Sequence, residues 1–443
     1  MEKTRRNFIK TSAVAGAAVA IQPVPFFLNG MPSSKINVAV MGIRSRGEVL
    51  AQNFAQQADT EVTWLCDVQQ DYLDNCLAKI SKLQKRSPKG GKDIRKILED
   101  KDLDAIAIAA PDHWHAPAAL MGLKAGKHVY LEKPCSHNPR EGELLVEAQR
   151  KYKRIIQMGN QRRSWPNVVQ AMEELRGGII GKVYFAKGWY ANNRQSIGFG
   201  KIVPVPPGLD WDLWQGPAPR VPYRDNVHPY NWHWFWHWGT GEALNNGTHE
   251  IDVARWGMGA EYPVRVVASG GRYHFADDWE FPDTMVVTYD FEDGRTLTWE
   301  SRSCNITPIE GDGRGNIFYG EKGTMIIIGN GYKIISNENP AKIIKEVTHV
   351  SNTAASSTNV ASPAADLDGV HIKNFLDSIR NGQLNNSPIW EGHKSVLMCQ
   401  LGNIAWKTGR VLNIDQRNGH IIGDREAMEL WKREYEPGWE MTV

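Results

Sequence analysis

Between residues 36 and 158, short apolar runs alternate with amphipathic stretches, which is the rhythm of strand followed by helix. Residues 36–41 read as a buried strand, 46–57 as a helix, 61–66 as a second strand and 104–109 as a third. A helix over 114–125 precedes a strand at 129–131, and one over 139–150 precedes a strand at 155–158. Strands alternating with helices predict an α/β domain built on a mostly parallel, doubly wound sheet. The stretch 82–93, with Ser87-Pro88 and Gly90-Gly91, reads as a surface loop. Beyond about residue 160 the rhythm changes. Residues 183–189, 264–270, 285–290, 296–300 and 324–328 alternate or are β-rich, and Glu292-Asp293-Gly294 supplies a turn between two of them. This predicts a second α/β domain on a large open, mostly antiparallel sheet. Residues 350–365, rich in Ser, Thr, Asn and Ala, read as a loop. Two closing helices, 366–380 and 391–408, carry apolar residues at helical spacing and are expected to pack back on the first domain. The divisions are then 1–34 for leader and linker, 35–159 for the first domain and 160–443 for the second.

The leader constrains location. Thr4-Arg5-Arg6-Asn7-Phe8-Ile9-Lys10 pairs two arginines with an apolar residue two places on, then runs into a weakly hydrophobic, Ala- and Gly-rich stretch over 11–21. It resembles a twin-arginine (Tat) signal, which marks cargo that folds before crossing the membrane, so export to the periplasm is expected. The apolar stretch is too short to span roughly 30 Å of hydrocarbon, and no integral membrane segment is expected in the mature protein. A net charge of +2 with 23% charged residues gives no bias toward nucleic acid. Five scattered cysteines without CxxC spacing indicate neither a disulfide framework nor a zinc site.

The first apolar run leads into a glycine turn: Val38 to Gly47 reads VAVMGIRSRG. A dinucleotide-binding turn needs a tight bend, a close backbone approach to pyrophosphate and a helix whose N-terminus faces the phosphates. Gly42 and Gly47 fill the first and third places, while Arg44 stands where a second glycine is expected. Ile43 and Arg46 belong to the same turn. Asp67 closes the next apolar run at the distance where a carboxylate can accept both ribose hydroxyls and repel a 2'-phosphate, so NAD is favoured over NADP. Arg44 is expected to lie along the pyrophosphate or adenine, or else to face solvent.

Three further segments follow: Ala109-Ala110-Pro111-Asp112-His113-Trp114-His115, Ala125-Gly126-Lys127-His128-Val129 and Leu131-Glu132-Lys133-Pro134. Here the chain resembles the Gfo/Idh/MocA family of sugar and polyol oxidoreductases. The likeness continues through Gly159-Asn160-Gln161-Arg162-Arg163, Trp211 to Pro217, Gly247-Thr248-His249-Glu250-Ile251-Asp252 and Tyr319 to Thr324, covering nearly everything after residue 35. It implies an N-terminal Rossmann domain and a C-terminal α/β domain whose open sheet encloses the substrate against the nicotinamide. Pro111, His115, Glu132, Lys133 and Gln161 are then expected to join Gly42, Ile43, Arg44, Arg46 and Asp67 around the cofactor. It also implies pairing of two copies through the outer face of the C-terminal sheet.

Oxidising a secondary alcohol requires hydride departure while a nearby base removes the hydroxyl proton. Lys133 stands where ligands bind in doubly wound sheets, outside the carboxyl ends of the strands, and by resemblance touches both ribose and substrate hydroxyl. His249 is the candidate base, with Asp252 one helical turn on to orient it. Family dehydrogenases carry Asp four places before this histidine; here that place is Asn245, which holds a hydroxyl but accepts no proton. Residues 230–238, YNWHWFWHW, alternate aromatics with period two. They form either a strand facing a core or a saccharide surface, on which Trp232, His233, Trp236 and His237 line the pocket beside Tyr190 and Arg162. His249 and Asp252 alone share a helical face, so no metal is expected.

The reading is an exported enzyme moving hydride between a sugar alcohol and NAD. The periplasm offers no ready nicotinamide pool, so the cofactor is expected to be held tightly and regenerated in place. Two alternatives stay open: an NAD-dependent, redox-neutral glycoside hydrolase acting through a transient keto-sugar, and a sugar-binding protein without catalysis.

Overall fold

The computed structural model describes residues 35–348 and 367–443, so the leader and the stretch 350–365 lie outside the described residues. Strands β1 (Ile36–Met41), β2 (Thr60–Cys66), β3 (Lys89–Gly91), β4 (Ala105–Ile108), β5 (His128–Leu131) and β6 (Ile156–Met158) form a parallel sheet in the order β3-β2-β1-β4-β5-β6. Helices α1 (Arg46–Ala55), α2 (Gln70–Ile80), α3 (Ile94–Ile97), α4 (Asp112–Lys124) and α5 (Pro139–Tyr152) connect them. The unbroken apolar runs of β1 and β4 follow from burial on both faces. Val38 and Val40 pack with Phe54 of α1 on one side, while Ala39 and Met41 join the core beneath α4 and α5 on the other.

The stretch 82–93 is not wholly a loop. Its Lys89–Gly91 pairs in parallel with Trp64 to Cys66 as an edge strand. A Cβ on Gly90 would sit 3.0 Å from Leu77, and one on Gly91 3.1 Å from Ile97. The bare backbone that reads as a loop signal is what lets this edge tuck against its helices.

After α6 (Pro166–Arg176) the chain builds a ten-stranded sheet, counted among the described residues. Its central strand is β7 (Val183–Ala191). From there the chain runs through α7 (Trp211–Gln215), α8 (Gly241–Asn245) and α9 (Gly247–Met258). Strands β8 (Arg265–Gly271), β9 (Thr284–Asp290) and β10 (Thr296–Arg302) lie on one side of β7. Strands β11 (Arg314–Gly320), β12 (Gly323–Ile328), β13 (Gly331–Ser336) and β14 (Ile343–Val347) lie on the other. Strand β10 runs parallel to β7 and the remaining neighbours are antiparallel.

Helix α9 crosses the inner face of this sheet, close enough that a Cβ on Gly188 of β7 would lie 2.9 Å from the Cβ of Glu250. Beneath it Trp299 and Phe318 are fully buried, each contributing about 1.5–3 kcal/mol by area. The closing helices are α10 (Asp368–Asn381) and α11 (Ile389–Thr408). Phe375 of α10 meets Phe54 and Tyr130 edge-on at 6.3 and 5.8 Å, tying it to the parallel sheet. Strands β15 (Leu412–Ile414) and β16 (Ile421–Ile422) extend the sheet edge beside β8 before the short α12 (Arg425–Glu429). All five cysteines are free and buried. Among the described residues no helix is long and apolar enough to cross a membrane.

Candidate active site

A cleft of about 410 Å³ runs from the glycine turn after β1 to the inner end of β7 and β11. The turn is built for close approach. Gly42 has φ +77°, and a Cβ there would lie 2.5 Å from the backbone N of Ala110; one on Gly47 would lie 1.8 Å from the Gly42 carbonyl oxygen. With those two side chains absent, the start of α1 seats directly on the turn, and Gly42, Arg44, Ser45 and Arg46 line the cleft. Arg46 donates through Nε to Glu132 (2.8 Å) and through Nη1 to Asp368, while its buried Nη2 has no protein partner.

Asp67 lines the cleft beyond the turn. Its Oδ2 accepts the Ile43 N–H (2.9 Å) and its Oδ1 the Gln69 N–H (2.9 Å). Burial pushes this carboxyl up to about 6 despite those bonds. Ile43 itself turns its side chain into the core and serves the site through its backbone. Arg44 faces the ring of Tyr72 at 6.0 Å.

At the carboxyl ends of the strands, Pro111, His115, Glu132, Lys133 and Gln161 all line the cleft. His115 donates through Nδ1 to the Pro134 carbonyl (2.6 Å), which leaves its buried Nε2 without a protein partner. Glu132 Oε1 accepts from Gln161 (3.1 Å) as well as Arg46. The Lys133 ammonium donates to the Asn245 carbonyl (2.7 Å) and side-chain Oδ1 (3.4 Å). Burial pulls Lys133 below the ordinary lysine range, with Glu132 and Asp112 acting against that shift.

The opposite wall comes from the large sheet. His249, in the first turn of α9, faces the cleft. Burial holds it well below the usual histidine range, and Arg314, Lys133, Arg162 and Arg46 push the same way, so it is neutral. Tyr190 and Arg314 are register partners on β7 and β11. The Tyr190 hydroxyl accepts from Asn192 (2.6 Å) and Arg194 (3.3 Å), and burial raises it to about 12. Trp232 and His233 line the cleft with rings stacked at 3.6 Å.

Four expected substrate contacts go elsewhere. Asp252 does not orient His249; it accepts both nitrogens of Arg163 at 2.8 Å and the Ser395 hydroxyl at 2.6 Å. The carboxylate is fully engaged by those partners and does not line the cleft, although a spacing of three residues leaves it on nearly the same side of the helix as His249. Arg162 is buried behind the lining, 3.2 Å from Glu250, and burial draws it down to about 10. Trp236 packs on Phe281 (4.0 Å) beneath the Lys407 ammonium, and His237 bonds the Pro219 carbonyl (2.8 Å). The segment 230–238 is a 3-10 turn at Asn231–Trp234 followed by further turns, not a strand. Its indoles splay: Trp234 stacks on Trp279 at 3.9 Å, and Trp238 meets Trp211 and Trp214.

Other lining residues escaped sequence reasoning. Arg314 arrives on β11, whose glycines at both ends hide the alternation of Arg314, Asn316 and Phe318. Leu213, Trp214, His228, Pro229 and Tyr230 come from the irregular segment after β7. That segment is tied to the parallel-sheet half on both sides of the cleft. Gly208 and Val68 exchange backbone bonds with Gln70 and Asp210 (3.1 and 3.0 Å), while His113 N–H and the Trp114 indole donate to Trp238 and Trp214 carbonyls (3.1 and 2.9 Å).

A parallel sheet with a glycine cradle at a helix N-terminus, facing a second sheet across a polar cleft, is the architecture of a dinucleotide-binding Rossmann fold joined to a second α/β sheet. Residues 36–160 match the oxidoreductase-family NAD-binding Rossmann fold of Gfo/Idh/MocA, residues 207–414 match that family's C-terminal alpha/beta domain, and residues 4–21 match a twin-arginine translocation signal. The chain belongs to the Gfo/Idh/MocA family and carries a Tat export signal.

Curated relatives include glycosyl hydrolase family 109 proteins of Saccharopolyspora erythraea and Stenotrophomonas maltophilia. The first is 27% identical over 45% of this chain and 48% of its own length, the second 24% identical over 66% and 68%. The chain thus spans about half the length of the first relative. Among solved structures, levoglucosan dehydrogenase in complex with NADH and levoglucosan superposes with a TM-score of 0.67 at 16% identity, covering 86% of this chain and all of that one. UDP-N-acetylglucosamine 3-dehydrogenase from Acidithiobacillus ferrooxidans gives 0.60 at 14%, covering 84% and 98%.

Proposed function

We propose that this protein, divided near residue 160 into dinucleotide and substrate halves, transfers hydride between a secondary alcohol of a sugar or sugar derivative and a tightly held NAD in the periplasm. The observation that carries this reading is that Lys133, Asn245 and His249 share one cleft with the glycine cradle. The cradle suits a dinucleotide: two absent side chains let the turn pack against α1 and the neighbouring strand end, presenting the start of α1 to the cleft, and the unpartnered Arg46 Nη2 and His115 Nε2 offer polar atoms for a ligand. Asp67 at the ribose position favours NAD over NADP.

When bound, the nicotinamide accepts the hydride from the carbinol carbon. The chain's own residues handle the proton. Neutral His249 takes it from the hydroxyl, and the Lys133 ammonium, held by Asn245 in the same cleft, stabilises the oxyanion as it develops. Asn245 steers Lys133 and accepts no proton. The segment 192–238, bonded to the other half on both sides of the cleft, resists dinucleotide loss, which is what an enzyme working away from a nicotinamide pool requires.

A redox-neutral glycoside hydrolysis is the second reading. It is favoured by Asn245 in place of an acid and by the names of the curated relatives. The test is mass spectrometry of denatured, natively purified protein, followed by sugars and aryl glycosides without added NAD. Near-stoichiometric NAD and sugar-dependent absorbance of the reduced cofactor are expected, falling by about 10²–10⁴-fold in Lys133→Met. Aglycone release without net reduction moves the assignment to the hydrolase. Sugar binding without any turnover, unchanged in Lys133→Met, refutes both.

A further inference from the structure

The charges along the cleft are unevenly shared between its two halves. Its carboxylates, Asp67, Asp93, Asp112 and Glu132, all come from the parallel-sheet half, whereas the substrate half presents Arg194 and Arg314 and no acid among the described lining residues. Arg194 is neutralised by buried Glu242, which accepts its Nε and, at 3.2 Å, its Nη2.

Arg314 is different. Its Nε and Nη2 both reach one oxygen of Glu250 (3.0 and 2.9 Å), and Arg162 presses on that same oxygen at 3.2 Å. Two guanidiniums therefore share one fully buried carboxylate. Arg162 keeps a buried nitrogen and Glu250 a buried oxygen without hydrogen-bond partners. Asp312 accepts the Arg314 backbone N–H (3.0 Å) and acts on Arg162, but it does not line the cleft. Glu250 takes two of the three Arg314 nitrogens, so the third is the edge a ligand's anion could complete in charge-assisted fashion. The Arg314 guanidinium lies over the Tyr190 ring at 5.2 Å, with Nη1 making no hydrogen bond to protein, at the end of the cleft opposite the glycine cradle. Its pairing with Glu250 leaves that third nitrogen as the part of Arg314 offered to the cleft.

We infer that the substrate carries a carboxylate, as a uronic or aldonic acid does, and that Arg314 is the residue that selects it by pairing through its free edge. The inference rests on the carbohydrate reading above and adds the chemical class of the sugar.

The experiment is titration calorimetry on the NAD-loaded protein with matched pairs: methyl glucoside and methyl glucuronide, methyl galactoside and methyl galacturonide, gluconate and glucitol. In at least one pair the acid is expected to bind tenfold or more tightly than its neutral partner. Arg314→Gln should erase that preference and Arg314→Lys retain part of it. Neutral members binding as well as acids in every pair, or a preference that survives Arg314→Gln, overturns the assignment while leaving the carbohydrate reading intact. No binding by any member overturns both. Where Arg314→Gln fails to fold, the wild-type comparison with Arg314→Lys decides.

Discussion

Replacing Gly47 with alanine tests the cradle at its tightest point. The new Cβ would lie 1.8 Å from the Gly42 carbonyl oxygen and 2.7 Å from its carbon, where ordinary contact begins near 3.4 Å. The turn and the first residues of α1 must therefore part by roughly 1.6 Å, and no rotamer relieves a clash between backbone and Cβ. Overpacking of this kind costs about 1–3 kcal/mol. The displacement also carries the free N–H groups of α1 away from the pyrophosphate, an interaction worth about 0.3–2 kcal/mol. At about 1.4 kcal/mol per factor of ten, the lost phosphate interaction is expected to lower dinucleotide affinity by about 2- to 30-fold, while the overpacking lowers Tm by a few degrees. The assay is NAD per polypeptide in purified protein together with calorimetric titration of NAD. Gly369→Ala, whose Cβ meets its nearest neighbours at 3.4 and 3.5 Å, is the control and should bind normally. A Gly47→Ala protein with wild-type NAD content and affinity would refute the cradle.

Stability should fall with acid in a way set by histidines. Burial, the largest cause, holds His113, His137, His233 and His249 well below the ordinary range and draws His128, His228, His371 and His393 to about 4. The unfolded chain protonates these groups near pH ~6.5, so their contribution is present above that pH and is lost as pH falls through it toward 4. Asp67, raised to about 6, works the other way as a single group. Tm is expected to decline steadily from pH 7 to 5, and a flat profile by scanning calorimetry would contradict this. Asp252→Asn breaks a buried pair with Arg163 and should cost about 3–5 kcal/mol of stability. If Asp252 instead orients His249, the loss will show in kcat and its pH profile with Tm unmoved.

Much of the architecture was legible because burial on both faces imposes apolar runs such as Val38–Met41 of β1, AIAI of β4 and VYL of β5, and because glycines at 42 and 47 have no substitute where backbone meets backbone. The order of Asp67, Pro111, Glu132-Lys133 and His249 likewise pointed to residues that share one cleft, since each stands at a strand end or helix start that local pattern marks. Residues 230–238 show where local pattern fails. Period two in aromatics fits a strand, yet Trp234 gains more by stacking on Trp279 and Trp238 by joining Trp211 and Trp214, partners that chain folding alone supplies. The edge strand Lys89–Gly91 was missed for a related reason: its stability comes from pairing with β2, not from its own composition.

The linear chain by itself thus determined the two sheets, the glycine cradle and many of the residues that line the cleft, because strand burial and helix-start chemistry are local properties. Tertiary structure alone decided that Asp252 turns to Arg163 rather than to His249, that Trp236 and His237 leave the cleft, and that Arg314 enters it beside Tyr190. Those outcomes depend on which face of α9 and which register of β7 against β11 meet across a distance in sequence, and charge pairing in a low-dielectric interior is settled by that meeting.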